Sequence, residues 1–177
     1  MSFKEDIKQD LKHHLFGTHY ARPLQITPVR LLRALITPEF RVVLSYRINR
    51  LLWVKGYKFV SFVLHQRSKR KYGCDLSPEA KLNKGLRIVH ASDIIIGPLA
   101  LIGEDCILYN GVTLGNRKGG NNDGMPVLGN KVLVGTGAKL LGKITIGDDV
   151  NIGANSVVLT SFDNGTLVGI PAKKIKD

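Results

Sequence analysis

The chain has 177 residues, 44% hydrophobic and 23% charged, with a formal net charge of +12. That leaves room for one compact domain and a modest extra segment. Two cysteines, Cys74 and Cys106, cannot build a disulfide framework and form no Cys/His cluster with metal-ligand spacing, so neither a disulfide scaffold nor a metal centre is expected. The N-terminal stretch is charged and lacks the apolar core of a secretory signal, and no run approaches the roughly 18 apolar residues of a spanning helix. A reducing, cytoplasmic setting is the expectation.

The charge is uneven. Residues 30–71 carry eleven basic side chains against the single acid Glu39, so this stretch holds +10 of the +12. Elements here read as helices. Ser2 to Phe16 has helical character, and Thr27-Pro28 and Thr37-Pro38 each resemble a helix start with proline at the first helical position. Phe40 to Val54 and Lys58 to Leu64 are apolar-rich with interspersed basic residues. Two or three helices over 1–71 are expected. Their basic, aromatic character, with Tyr46, Trp53 and Tyr57, suits an anionic membrane surface or an anionic glycan, and would make the protein peripheral at the inner face of the membrane.

From residue 72 to 177 the pattern changes to a repeat of six. Aliphatic residues recur in three phases: Leu76, Leu82, Ile88 and Ile94; then Ile96, Ile102, Leu108 and Leu114; then Leu128, Val134, Leu140, Ile146, Ile152 and Val158. Glycine often follows, and a small or β-branched residue tends to sit four places on. Six fits neither a helix nor a simple alternating strand. It fits a short strand and a turn, three to a coil, with the aliphatic side chain inward and each coil buried against the next. The predicted architecture is mainly β, a parallel β-helix with a short N-terminal helical segment.

Two breaks interrupt the repeat. The register slips by two residues between Ile94 and Ile96, just after His90. Leu114 and Leu128 are fourteen apart rather than twelve, across a polar, glycine-rich stretch, 116–126, that reads as a loop leaving the coil. His90 is the only histidine of the repeat region. A histidine can take a proton from a hydroxyl near neutral pH, although a lone one is more often structural.

The stretches DLSPEAKLNKGLRIVHASD, NGVTLGNRKGG, VLVGTGAKLLGKITIGDDVNIGANSVVL and VGIPAKKI resemble the catalytic domain of bacterial serine acetyltransferases, in the left-handed parallel β-helix superfamily. The resemblance implies left-handed coils and transfer of acetyl from acetyl-CoA without a metal. It implies His90 as general base, with Asp75, fifteen residues earlier, orienting the imidazole. It also implies a homotrimer with acetyl-CoA in a groove between subunits, approached by Gly115, Gly135, Gly137 and Ala138, and with Lys173 and Lys174 near the nucleotide phosphates. Asp93, Asn110, Arg117, Asp123 and Met125 would face the acceptor.

The departures bear on that acceptor. The family's aspartate before the histidine is Val89 here, and its loop arginine and histidine align with Gly124 and Met125. Each lost charged hydrogen bond costs about 1.5–3 kcal/mol. The expectation drawn from these losses is a saccharide acceptor, in capsular or exopolysaccharide synthesis. Serine acetylation is the alternative, and a non-enzymatic scaffold a third. No nucleic-acid-reading motif is present, so no nucleic acid partner is expected.

Overall fold

The computed structural model describes residues 3–17, 25–118 and 124–175. Its described residues form four helices, not two or three: α1 (Phe3–Phe16), α2 (Pro28–Ile36), α3 (Pro38–Val54) and α4 (Lys58–Tyr72). Thr27 starts α2, its Oγ1 accepting from the Arg30 N–H. Thr37, in extended backbone, both ends α2 and begins α3, because Pro38 cannot donate to the preceding turn. None of the described helices is long and apolar enough to cross a membrane.

Fifteen short strands follow from Asp75. The first sheet orders β1 (Asp75–Leu76), β4 (Ile95–Ile96), β7 (Thr113–Gly115), β10 (Lys139–Leu141) and β13 (Val157–Val158). The second contains β2 (Lys81–Leu82), β5 (Leu101–Ile102), β8 (Val127–Leu128) and β11 (Thr145–Ile146). The third contains β3 (Arg87–Val89), β6 (Ile107–Tyr109), β9 (Leu133–Val134), β12 (Asn151–Ile152), β14 (Thr166–Val168) and, antiparallel at its edge, β15 (Lys173–Lys174). From β1 to β13 successive strands visit the three sheets in turn and pair in parallel, so the chain winds as a three-faced coil.

The sixfold aliphatic positions become three columns. Leu76, Ile96, Leu114, Leu140 and Val158 are in register on the first face. Leu82, Ile102, Leu128 and Ile146 line the second, and Ile88, Leu108, Val134, Ile152 and Leu167 the third. All are buried in one core. Each such side chain contributes about 1.5–3 kcal/mol over leaving it exposed, and none can do so without its neighbours above and below. The tight stacking explains the glycines: a Cβ on Gly103 would sit 2.2 Å from the Gly129 carbonyl oxygen.

The first coil has no coil beyond it, so its edge carries backbone groups that need partners. The helices supply them. Tyr46 Oη donates to Ala80 O at 2.7 Å and accepts from Leu82 N at 3.1 Å. Arg47 donates to the carbonyls of Leu82 and Asn83, and Arg50 to those of Pro78 and Glu79. Asp10 Oδ1 accepts from Leu86 N at 3.0 Å, and its carboxylate takes a forked pair from Arg47 at 2.8 and 3.0 Å. His13 Nδ1 meets Gly85 O. Part of the basic excess of 30–71 is therefore spent inside the molecule, closing the end of the coil.

Candidate active site

The register slip is a local expansion of one corner. Between the inward position of the third face and the next paired residue of the first face, the later coils run Leu108 to Thr113, Val134 to Lys139 and Ile152 to Val157. The first coil runs Ile88 to Ile95, two residues longer. Backbone bonds fix where the extra pair lies. Gly111 N donates to Ser92 O, Gly137 N to Asn110 O, and Asn155 N to Thr136 O. Ser92, Asn110 and Thr136 are thus equivalent, and the additional residues are His90 and Ala91. Ser92 fills no inward position; Ile94, fully buried, takes it.

His90 is exposed on this expansion, with φ 59°. Of the six described non-glycine residues with positive φ, four are Asp or Asn, which tolerate that region; His90 and Lys131 are not. A left-handed residue with a full side chain costs about 1–2 kcal/mol. The corner holds the imidazole out into solvent at that expense.

Asp75 begins β1 at the same corner, one coil above. Its N–H donates to Ile94 O at 2.7 Å, and Asp93 N donates to Gly73 O at 2.9 Å, so the Gly73–Asp75 segment lies directly over the expanded turn. The expected hydrogen bond between Asp75 and His90 is not among those of the described residues. Asp75 Oδ1 instead lies 2.9 Å from His65 Nε2, and Oδ2 2.5 Å from Lys69 Nζ. The reason is α4, which packs on β1 and presents both basic side chains from one face. Sequence reasoning missed His65 and Lys69. Their spacing of four was visible, but nothing local told which carboxylate they would meet.

The other expected site residues divide. Ala138 is fully buried, and its carbonyl accepts from Thr113 N, so its side chain faces the core and not a groove. Gly135 and Gly137 are small because the stack demands it: a Cβ would lie 2.7 Å from Ala154 N and 2.2 Å from Asn155 Oδ1, respectively. Gly115 differs, since a Cβ there meets nothing closer than 3.7 Å. Lys173 and Lys174 are exposed in the edge strand β15, with Lys174 Nζ bonded to Asn164 Oδ1.

Among the expected acceptor contacts, Asp93 and Arg117 are exposed, Arg117 lying against Gly142. Asn110 is committed to bracing the corner, its Oδ1 accepting from Thr136 Oγ1 at 3.2 Å. Met125 is partly buried and packs on the core, its Sδ so close over Gly97 that a Cβ there would fall 2.4 Å away. Asp123 lies outside the described residues. No group of three or more potential metal ligands occurs among the described residues. Both cysteines are buried; burial pushes the Cys74 thiol up and the Cys106 thiol to about 12, so neither serves as a nucleophile near neutral pH.

Comparison with known proteins adds the chemistry. Residues 125–160 match the family model "Bacterial transferase hexapeptide (six repeats)". The serine acetyltransferase of Helicobacter pylori is 42% identical over 142 residues, spanning 80% of this chain and 83% of the relative. The crystal structure of Neisseria gonorrhoeae serine acetyltransferase in complex with serine superposes with a TM-score of 0.84 at 33% identity, over 97% of this chain and 68% of that one. The Brucella abortus serine acetyltransferase in complex with coenzyme A gives 0.85 at 28%, over 97% and 66%.

These findings overturn the expectation of a saccharide acceptor and of a capsule or exopolysaccharide branch. That expectation rested on Val89, Gly124 and Met125 standing where the family has charged groups. In the fold, Met125 covers Gly97, and a Cβ on Gly124 would abut Lys143 at 2.7 Å. Both residues of the loop end are thus packed against the coil. The chain belongs to the serine acetyltransferase family and is an acetyl-CoA-dependent O-acetyltransferase.

Proposed function

We propose that the protein transfers the acetyl group of acetyl-CoA to the side-chain hydroxyl of L-serine, with His90 as general base. The observation that carries this reading is the 42% identity with a serine acetyltransferase over 142 residues, a span that includes most of the coil. The placement of the coil's lone histidine on a two-residue expansion supports His90 in particular.

In this reaction the His90 imidazole accepts the hydroxyl proton as the serine oxygen attacks the thioester carbonyl. A C–O bond forms and, as the tetrahedral intermediate collapses, the C–S bond breaks. The departing thiolate takes the proton back from the imidazolium, giving O-acetylserine and CoA. Asp75 orients the ring, and a carboxylate beside an imidazole stabilises the positive charge that forms on it. No acyl-enzyme is needed, in keeping with the buried thiols. A positioned base of this kind contributes roughly 10²–10⁴-fold.

Gly115 offers the pantetheine arm an approach that no side chain of the chain itself requires to be open. Lys173 and Lys174 supply exposed positive charge for the nucleotide phosphates. Left-handed coils, a trimer completing the cofactor groove and a cytoplasmic location belong to the same reading. Release of the CoA thiol on adding L-serine to the full chain and acetyl-CoA tests it. Serine-dependent release is expected; no release at millimolar serine refutes the proposal.

A further inference from the structure

Asp75 lies two residues beyond Gly73, the left-handed cap that ends α4 at φ 63°. A helix C-terminus presents unpaired carbonyls and a partial negative charge, which disfavours an anion close by. α4 answers this from its own last turns. His65 and Lys69, four residues apart on one helix face, each take one oxygen of the Asp75 carboxylate, at 2.9 and 2.5 Å. The side chains of His65 and Asp75 are 14% and 28% exposed, so much of this contact is shielded from water, whereas Lys69 is 49% exposed.

The two bonds fix the plane of the carboxylate. An ionised carboxylate has about four acceptor positions, so two remain, one on each oxygen. We propose that His65 and Lys69 are positioning residues that hold the Asp75 carboxylate in the plane from which it orients His90. This rests on the base–orienter reading of His90 and Asp75 given above. It makes α4 part of the support of the active site, and not only a cover for the end of the coil.

The alternative is an ion pair that merely pins α4 to β1. Steady-state kinetics of the full chain with L-serine and acetyl-CoA separate the two, using Lys69→Met, Lys69→Arg, His65→Leu and Asp75→Asn. Lys69→Met and His65→Leu are expected to lower kcat roughly ten- to hundredfold, the range for groups that orient a reacting side chain. KM for acetyl-CoA and the melting temperature should stay near wild type, and Lys69→Arg should restore most of the rate. In the Asp75→Asn background, Lys69→Met should add no further loss, because its effect runs through the carboxylate.

Unchanged kcat in both variants overturns the inference. So does a loss that persists in full in the Asp75→Asn background, or one that follows the melting temperature and is not rescued by arginine. Wild-type turnover by His90→Ala would overturn the base–orienter reading itself, and this inference with it; that result is read from the His90 variant alone.

Discussion

The coil and its helical cap are held together in opposite ways. In the coil, one kind of contact recurs: an inward aliphatic side chain meets its equivalents one turn above and below, as Leu114 meets Ile96 and Leu140. In the cap, no contact recurs. Tyr46, Arg47, Arg50, Asp10 and His13 each satisfy a different backbone group of the exposed first turn. A repeat spreads its stability over many similar steps, so a single loss is local. A polar cap concentrates it, because removing one partner leaves another buried and unpaired.

Breaking the cap should show the largest effect. Asp10→Ala strands Arg47, whose side chain is only 5% exposed, and breaking such a buried pair costs about 3–5 kcal/mol. Thermal unfolding of the variant checks this. In the coil, Leu140→Ala removes one fully buried side chain and should cost about 2–5 kcal/mol, the amount set by how far neighbouring turns collapse. A cost for Asp10→Ala well below that for Leu140→Ala would invert the comparison. Tyr46→Phe should fall between negligible and severe, about 1–3 kcal/mol, since it leaves Ala80 O and Leu82 N without their bridge.

The cap should also be the pH-sensitive region. Burial holds both His13 and His14 below the ordinary histidine value of 6.5. The unfolded chain then binds protons first, so stability is complete above 6.5 and is lost as pH falls below it toward the folded-state values. Burial pushes the Asp10 carboxyl the other way, up from 3.8, which favours the folded state once the pH falls far enough to protonate it. Melting temperature should drop between pH 7 and 5.5, with a shallower slope in His13→Gln. The smallest stability change belongs to Gly115→Ala, within roughly 0.5 kcal/mol, because the added methyl meets nothing closer than 3.7 Å. Its KM for acetyl-CoA should rise, which Gly103→Ala, a stacking lesion, does not predict.

The same contrast explains what could be read from sequence. The three aliphatic columns were visible because every coil repeats the same demand, and the expanded corner was visible as a two-residue slip beside His90. The repeat could not by itself separate glycines that stacking requires, such as Gly135, from one it does not, Gly115. The cap was illegible, because its bonds join residues roughly 30 to 80 apart with no period. Thus the basic stretch read as surface charge, although Arg47 and Arg50 bind carbonyls of the coil and Lys69 binds Asp75. The acceptor was misjudged as well. The missing charges at Val89, Gly124 and Met125 were weighed as a loss of serine binding, whereas relatives of the same fold are serine acetyltransferases.

The most direct test of the account is mass-spectrometric detection of O-acetyl-L-serine from L-serine and acetyl-CoA, with wild type and His90→Ala side by side. The account predicts product from the wild type and a loss of at least about a hundredfold in the variant, with an unchanged melting temperature. Equal product from both, or none from the wild type, would contradict it.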